Sequence, residues 1–555
     1  MKKLLYIITA ALAAAVALNL PARSRSNNTD LSRQLTIFNS LVKELQTNYV
    51  DTIDPQSLMR TAIDAMLNRI DPYTEYYPAE DQEELTTISS GEYGGIGAYI
   101  LQRGNEVIVH QPVWDAPARN TGLRHGDVIL QVDTTLIVPG AKSDKVSKLL
   151  RGQAGSNVRV KVRRPYVTDS ILTFDITRRT INVNPLPYYG IDSTGTGYIA
   201  LTTFNEKSAG AVKAALLEMR RDPRLRGLVI DLRGNGGGLL ESAVQIAGLF
   251  VPKGTEIVRT KGFDGKLEKI YKTTQQPVDT RLPLVIMTDD GTASASEILA
   301  GSLQDLDRAV IVGDRSFGKG LVQIPRPLPF DAMMKVTVAR YYIPSGRLIQ
   351  AIDYSHRNPD GSVARIPDSL RRVWHTRAGR EVLDGGGITP DVMAVDSNMN
   401  RLLYNVISDM WAYDFANRWL ARHPQAPDPD TWAPDDSLFT EFKAFIDPAR
   451  FKYDRMSENG IDYIRQAARI EGYTSDSVTA AIDALAAMMK HDLARDLDFN
   501  RRELVKILDA EIGERYFSDS ILRRRALRYD IEADSARAVI LDPARYHRLL
   551  SPAHK

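Results

Sequence analysis

Apolar residues near the start of the chain recur at helical spacing. Leu35, Ile37, Phe38, Leu41, Val42 and Leu45 make one stripe, and Leu58, Ala62, Met66 and Leu67 make another, before Asp71-Pro72 stops the pattern. This predicts a small helical preface whose stripes serve packing. From about Gly91 the pattern becomes short β-type runs broken by glycine: Gly94-Gly95-Ile96-Gly97 leads into a run at 98–101, followed by runs at 107–113, 126–130 and 157–162, with a helical stretch at 142–150. Residues 186–395 alternate apolar strands with amphipathic helices. The run 228–232 is continuously apolar and suits a sheet buried on both faces; a glycine-rich loop and a helix over 239–250 follow it. A second buried strand at 284–287, a helix from Ala295 to about Gln304 and a strand at 309–312 complete an α/β core. After Pro390-Asp391 the chain is helical and charged, with Pro/Asp-rich breaks at 423–436 and near Asp447-Pro448.

With 555 residues the chain holds several domains, and its 43% hydrophobic and 25% charged residues are an ordinary globular balance. A formal net charge of +2 provides no pull toward nucleic acid. The absence of cysteine excludes disulfides, a thiol nucleophile, thiolate metal sites and a lipidated N-terminal cysteine. The eight histidines form no paired metal-ligand motif, so neither metal nor cofactor is expected. Lys2-Lys3 followed by the apolar run 4–20 reads as an export signal. Its small-residue cleavage pattern is poor, so removal as a signal peptide and retention as a membrane tether both stay open. Either way the expected location is the cell envelope, periplasmic or anchored and facing the periplasm.

Three segments can carry chemistry. Ser294 follows the buried strand 284–287 at the start of a helix, where Ser294-Ala295-Ser296-Glu297 also fits the S-x-x-E capping box. The two readings are compatible, because backbone N–H groups and the positive end of a helix dipole suit an oxyanion beside a nucleophile. Lys319 lies in Phe317-Gly318-Lys319-Gly320. A lysine is normally a solvated cation, but in an apolar pocket it loses its charge and can serve as a general base. The same segment matches most of a phosphate-binding P-loop; Gly320 in place of Ser/Thr and prolines at 325, 327 and 329, which forbid a following helix, exclude that reading. Third, Asp231-Leu-Arg-Gly-Asn-Gly-Gly-Gly238 can turn N–H groups toward a ligand, or be a plain strand-to-helix turn.

The order of Gly94-Gly-Ile-Gly97, Ala116-Pro-Ala118, Gly126-Asp-Val-Ile-Leu130 and the Leu149-Leu-Arg-Gly152 helix end resembles a PDZ domain of the exported-protease type. On that resemblance Gly94, Gly95, Ile96 and Gly97 bind a peptide's terminal carboxylate while the peptide adds a strand to the sheet edge. "DLRGNGGGLL", "TASASEILAG", "DRAVIVGDRSFGKGLVQ", "ARYYIPSGRLIQ" and "GGITPD", in that order, resemble the C-terminal processing peptidases, PDZ-bearing serine–lysine proteases of family S41. The resemblance implies Ser294 as nucleophile, Lys319 as general base, Gln323 as the residue orienting the lysine, and an oxyanion hole from the Ala295 N–H with Gly237 or Gly238. Ser296 is the competing nucleophile.

The implied organisation is α/β and multi-domain: a signal peptide or anchor at 1–24, a helical region at 25–84, a β-rich PDZ domain at 85–182, a crotonase/ClpP-like peptidase core at 183–395 and a helical region at 396–555. The implied function is an exported endopeptidase acting on proteins or peptides with exposed C-termini, with no nucleic-acid partner. An adaptor or activator protein and a homo-oligomer stay open. The alternative is an inactive or gated PDZ adaptor that captures C-termini, with an exported esterase as a third option. The chain departs from the family pattern in a polar insert at 353–384 and in its long C-terminal region, where no chemical motif is found.

Overall fold

The computed structural model describes residues 23–81, 87, 89–167, 170–263, 268–358, 360–396, 399–453 and 455–552; the export run at 4–20 lies outside the described residues. The chain forms two compact units, one of residues up to Pro78 with Pro325–Val336 and one of the remainder. In the first, helices α1 (Arg23–Asn48) and α2 (Pro55–Asn68) precede β1 (Glu75–Tyr77), which pairs antiparallel with residues 333–335. Asp54 caps α2 by accepting from the Gln56 N–H at 3.1 Å, with Pro55 at the first helical position, where its missing N–H costs nothing. Of the second stripe Leu67 is buried, while Leu58 and Met66 are exposed. In the first stripe Leu35, Ile37, Phe38 and Leu41 are exposed, which corrects the expectation that it packs.

In the second unit β2 (Glu92–Gly95) pairs with β9 (Arg179–Asn182), flanking a sheet of β3 (Ala98–Arg103), β4 (Glu106–Pro112), β5 (Val128–Val132), β7 (Asn157–Arg164) and β8 (Ser170–Thr177) in that order; β6 (Thr135–Leu136) pairs with β5. Helix α3 (Ser143–Leu150) closes its core, sending Val146 and Leu150 against Val107, Ile129 and Val160. This is the PDZ domain.

The α/β core is a sheet ordered β10 (Tyr188–Ile191), β11 (Thr196–Ala200), β12 (Gly227–Asp231), β15 (Leu284–Thr288), β16 (Val310–Gly313) and β23 (Val392–Met393), parallel except for β10. The alternation along its strands is apolar on both sides. Leu228, Ile230, Leu284, Ile286 and Ile311 face α4 (Ser208–Met219), α5 (Leu240–Ala247) and α6 (Ala295–Asp305). Val229, Val285, Met287, Val310 and Val312 face Ala536, Val539, Ile540 and Tyr546 from the end of the chain. The second layer of the core therefore comes from beyond residue 530, which no local pattern announces.

A second sheet beside the core contains β13 (Glu256–Gly262), β14 (Lys269–Lys272), β17 (Leu321–Pro327) and β18 (Met333–Tyr342). The polar insert forms two hairpins, β19 (Ile352–Arg357) with β20 (Val363–Arg365) and β21 (Val373–His375) with β22 (Glu381–Leu383). The C-terminal region is helical: α7 (Arg401–Ser408), α8 (Trp411–Arg422), α9 (Asp436–Phe445), α10 (Met456–Ile470), α11 (Asp476–Met488), α12 (Leu493–Phe499), α13 (Arg501–Tyr516), α14 (Asp519–Ala526), α15 (Ile531–Leu541) and α16 (Pro543–Leu549). Helices α7, α8, α9 and α13 share their own core around Phe415, Phe442 and Leu508.

Candidate active site

Parallel sheets present their loops at the carboxyl ends of the strands, and three such loops meet here. After β15 the chain turns at Asp289 and enters α6 through Ser294, whose φ of 58° and ψ of −115° are outside the regions a residue with a Cβ ordinarily adopts. Such strain persists where the surroundings over-determine it. Here the Ser294 N–H donates to Glu297 Oε2 at 2.9 Å, which is one half of the capping box. Ser294 is partly exposed. Ser296 is fully buried and its hydroxyl donates to the Asn235 carbonyl oxygen at 2.8 Å, so it is a structural pin.

The loop after β16 carries Lys319. It leads into strand β17 and not into a helix, in keeping with the exclusion of a P-loop. Its course is dictated by Glu297, which is 0% exposed. Oε1 accepts from the Ser316 hydroxyl at 2.5 Å and the Gly318 N–H at 2.8 Å, and Oε2 accepts from the Lys319 N–H at 2.8 Å as well as from Ser294. Burial pushes the Glu297 carboxyl up to about 7, against the pull of these donors. Tyr341, 1% exposed, makes a second junction: its hydroxyl donates to the Lys319 carbonyl oxygen at 2.7 Å and lies 3.2 Å from that of Ser294. Ser294 and Lys319 thus share one carboxylate oxygen and one hydroxyl through their backbones. Gly318 has a φ of 89°, and a Cβ there would stand 2.4 Å from the Ala351 Cβ, so the lysine's glycine neighbour is required by both conformation and space. Gln323, in β17, donates its side-chain amide to Thr337 Oγ1 at 3.1 Å.

The third loop, 232–238, is stitched to the first. Thr292 Oγ1 donates to the Leu232 carbonyl oxygen at 2.9 Å, the Gly234 N–H donates to Asp289 Oδ1 at 2.9 Å, and the Ala293 N–H donates to the Asn235 carbonyl oxygen at 3.0 Å. A Cβ on Gly237 would lie 2.9 Å from the Ser294 Cβ and 2.7 Å from the Ala293 oxygen, so glycine here lets the loop lie directly on Ser294. The Gly237 N–H donates to Asn235 Oδ1 at 2.9 Å. Gly238 bridges Phe204 in parallel fashion, with the Leu239 N–H donating to the Phe204 carbonyl oxygen at 2.7 Å, which turns the Gly238 N–H itself away from Phe204.

In the PDZ domain Gly94 and Gly95 end β2, while Ile96 and Gly97 make the turn into β3, an edge strand. The Ile96 side chain is buried, and its carbonyl oxygen accepts from the Ala118 N–H at 2.8 Å.

Residues 94–184 match the PDZ domain profile, 195–360 that of Peptidase family S41, and 402–540 that of "Probable PDZ-protease, C-terminal helical domain". A carboxy-terminal-processing protease of Bartonella bacilliformis is 33% identical over 63% of this chain and 80% of its own length. A probable CtpA-like serine protease of Staphylococcus haemolyticus is 28% identical over 74% of this chain and 80% of its own. The chloroplastic C-terminal processing peptidase of Tetradesmus obliquus is 35% identical over 51% of this chain and 64% of its own. The chain belongs to the C-terminal-processing proteases of peptidase family S41.

The S-x-x-E pattern marks Glu297 as a helix cap and is also the signal for its part in the site. Tyr341 stands in the "ARYYIPSGRLIQ" motif, but its role is not legible there, because it depends on a sheet register that brings β18 under both loops.

Proposed function

We propose that this protein is an exported serine endopeptidase in which Ser294 is the nucleophile and Lys319, in its neutral form, the general base. The observation that carries the reading is the joint anchoring of the two residues by Glu297 and Tyr341. Ser294 is preferred to Ser296 because the latter is buried and already donating. Lys319 takes the Oγ proton as Oγ attacks the scissile carbonyl carbon. The resulting oxyanion accepts from the N–H groups of Ala295 and Gly238, since that of Gly237 is engaged by Asn235. The lysine returns the proton to the leaving amine, and water then hydrolyses the acyl-enzyme. Gln323, the third residue of β17, follows the lysine loop and orients the lysine. Gly94–Gly97 receives the substrate's terminal carboxylate, with the peptide along the open edge of β3.

The test is digestion of an unstructured protein with an apolar C-terminus by wild type, Ser294→Ala and Lys319→Ala. Cleavage by wild type alone, with both variants folded, is expected. Activity surviving in Ser294→Ala would remove the serine from its role; binding of the C-terminal peptide without cleavage by any form would favour the adaptor.

A further inference from the structure

Arg233 opens the glycine loop and is held by carboxylates from two distant parts of the chain. Its Nε and Nη2 donate to Asp231 Oδ1 and Oδ2 at 3.0 and 2.8 Å. Nη2 also donates to Asp530 Oδ2 at 2.6 Å, and Nη1 donates to Glu532 Oε2 at 2.6 Å and Asp530 Oδ1 at 3.2 Å. Tyr198 donates its hydroxyl to Asp231 from the next strand. Burial alone would lower the Arg233 pKa, but Asp231 and Asp530 outweigh it and hold the guanidinium charged. A planar fork of donors among fixed carboxylates sets an orientation as well as a charge.

Asp530 and Glu532 are themselves rigidly placed. Asp530 caps α15, accepting from the N–H groups of Glu532 and Ala533, where the helix dipole also favours an anion. Helix α15 is seated on the core sheet through Ala536, Val539 and Ile540. On the other side of Arg233 the path to the site is short. Asn235 accepts from Ala293 and Ser296 on either side of Ser294, and its Oδ1 holds the Gly237 that lies on Ser294.

We propose that Asp530 and Glu532 of the C-terminal helical region are positioning residues for the peptidase site, setting through Arg233 the conformation of loop 232–238. The proposal rests on the reading above that this loop supplies half of the oxyanion hole. It assigns the helical region a part in catalysis beyond covering the sheet.

The experiment compares the full-length wild type, Ser294→Ala, Asp530→Glu and the double variant Asp530→Asn/Glu532→Gln. Asparagine still caps a helix, so α15 is retained while the charges are removed. With an unstructured protein as substrate, the double variant is expected to lose about tenfold to a hundredfold in kcat, the scale of a misplaced oxyanion donor, with KM within about twofold. Asp530→Glu, which keeps the charge, recovers part of that loss. Amide exchange over 232–239 is expected to quicken in the double variant while exchange in β12 and β15 is unchanged. An unaltered kcat, or a loss matched by global unfolding, overturns the proposal and leaves the dyad intact. If wild type fails to cleave, or Ser294→Ala cleaves, the site reading fails separately. The exchange measurement then decides: unchanged exchange at 232–239 overturns the positioning role, and a local increase supports it.

Discussion

The main-chain N–H of Lys319 donates at 2.8 Å to Glu297, a carboxylate that is completely buried. Because the same oxygen takes the Ser294 N–H at 2.9 Å, two loops separated by a helix and a strand are referred to one atom. Every neighbour of this carboxyl is a donor, so glutamine is not a neutral replacement: its amide NH₂ would face N–H groups. Glu297→Gln is expected to lower kcat by about tenfold or more, since each buried donor left unpaired costs about 1–3 kcal/mol. The carboxyl is pushed up to about 7 by burial. Raised above its unfolded value, it contributes stability that is full in acid and lost as pH rises toward 7. Thermal unfolding across that range should show this slope in wild type and lose it in the variant.

Tyr341→Phe removes the hydroxyl that joins the Lys319 and Ser294 carbonyl groups and little else, since the ring is buried. Steady-state kinetics should show kcat lower by about tenfold, the worth of one buried hydrogen bond, with KM within about twofold. Equal loss in binding would contradict a role at the proposed dyad.

Gly237→Ala places a methyl group at 2.9 Å from the Ser294 Cβ at a φ of +101°. Loop and Ser294 cannot both keep their positions, so, on the proposed role of Ser294, labelling by a serine-reactive phosphonate is expected to slow by about a hundredfold while the fold is retained. Labelling at the wild-type rate would show that the loop does not bear on the serine.

The PDZ domain is docked on the C-terminal helices through Tyr413 and Asp414, with two imidazole rings packed against Tyr413. Tyr413 of α8 donates its hydroxyl to the carbonyl oxygens of Val109 and His110 at 3.0 and 2.9 Å and stacks on the His110 ring. Asp414 beside it takes both terminal nitrogens of Arg103 and the Tyr166 hydroxyl. Burial, then Arg515, Arg119 and His110, hold His125 well below the usual histidine range. Burial lowers His110 too, with Arg515 adding to it and Glu511 opposing. Docked pKa values below the free value mean stability that is full above about 6.5 and lost as pH falls below it. Glu514, pushed up to about 7 by burial and Glu511, acts in the opposite sense. Protection of the amides in β4 and α8, taken relative to their intrinsic exchange rate at each pH, should therefore fall between about pH 7.5 and 5.5 in wild type (about one unit either side of the free imidazole value), and the fall should vanish in His110→Gln/His125→Gln.

Ile540→Ala tests whether the end of the chain belongs to the core. The side chain is 3% exposed and lies over Gly227 of β12. A loss of about 2–5 kcal/mol is expected in denaturant unfolding, as for other buried aliphatic truncations. A loss under about 1 kcal/mol, the usual surface value, would mean that α15 is merely laid on the sheet.

Much of this architecture is legible in the chain. The continuous apolar run at 228–232 announces a strand buried on both faces and the glycines after it a tight loop, and β12 with loop 232–238 is what forms. Ser294 and Lys319 stand in short motifs whose residue types suit the proposed chemistry, and the PDZ landmarks are local turns and strand starts. The first helix shows the limit of such reading. The stripe Leu35, Phe38 and Leu41 has ideal periodicity yet faces solvent, because periodicity states that a face is apolar and not what covers it.

Side-chain type, spacing and backbone permission at glycine therefore define the elements and the residues eligible for chemistry. How these are joined is settled by packing. Glu297 reaches Lys319, Tyr341 reaches both loops, and Asp530 reaches Arg233 across almost the whole core and C-terminal region. A buried carboxylate or hydroxyl takes whichever donors and acceptors the packing delivers. That delivery depends on strand order and on which helix covers which face, neither of which is written at the positions themselves.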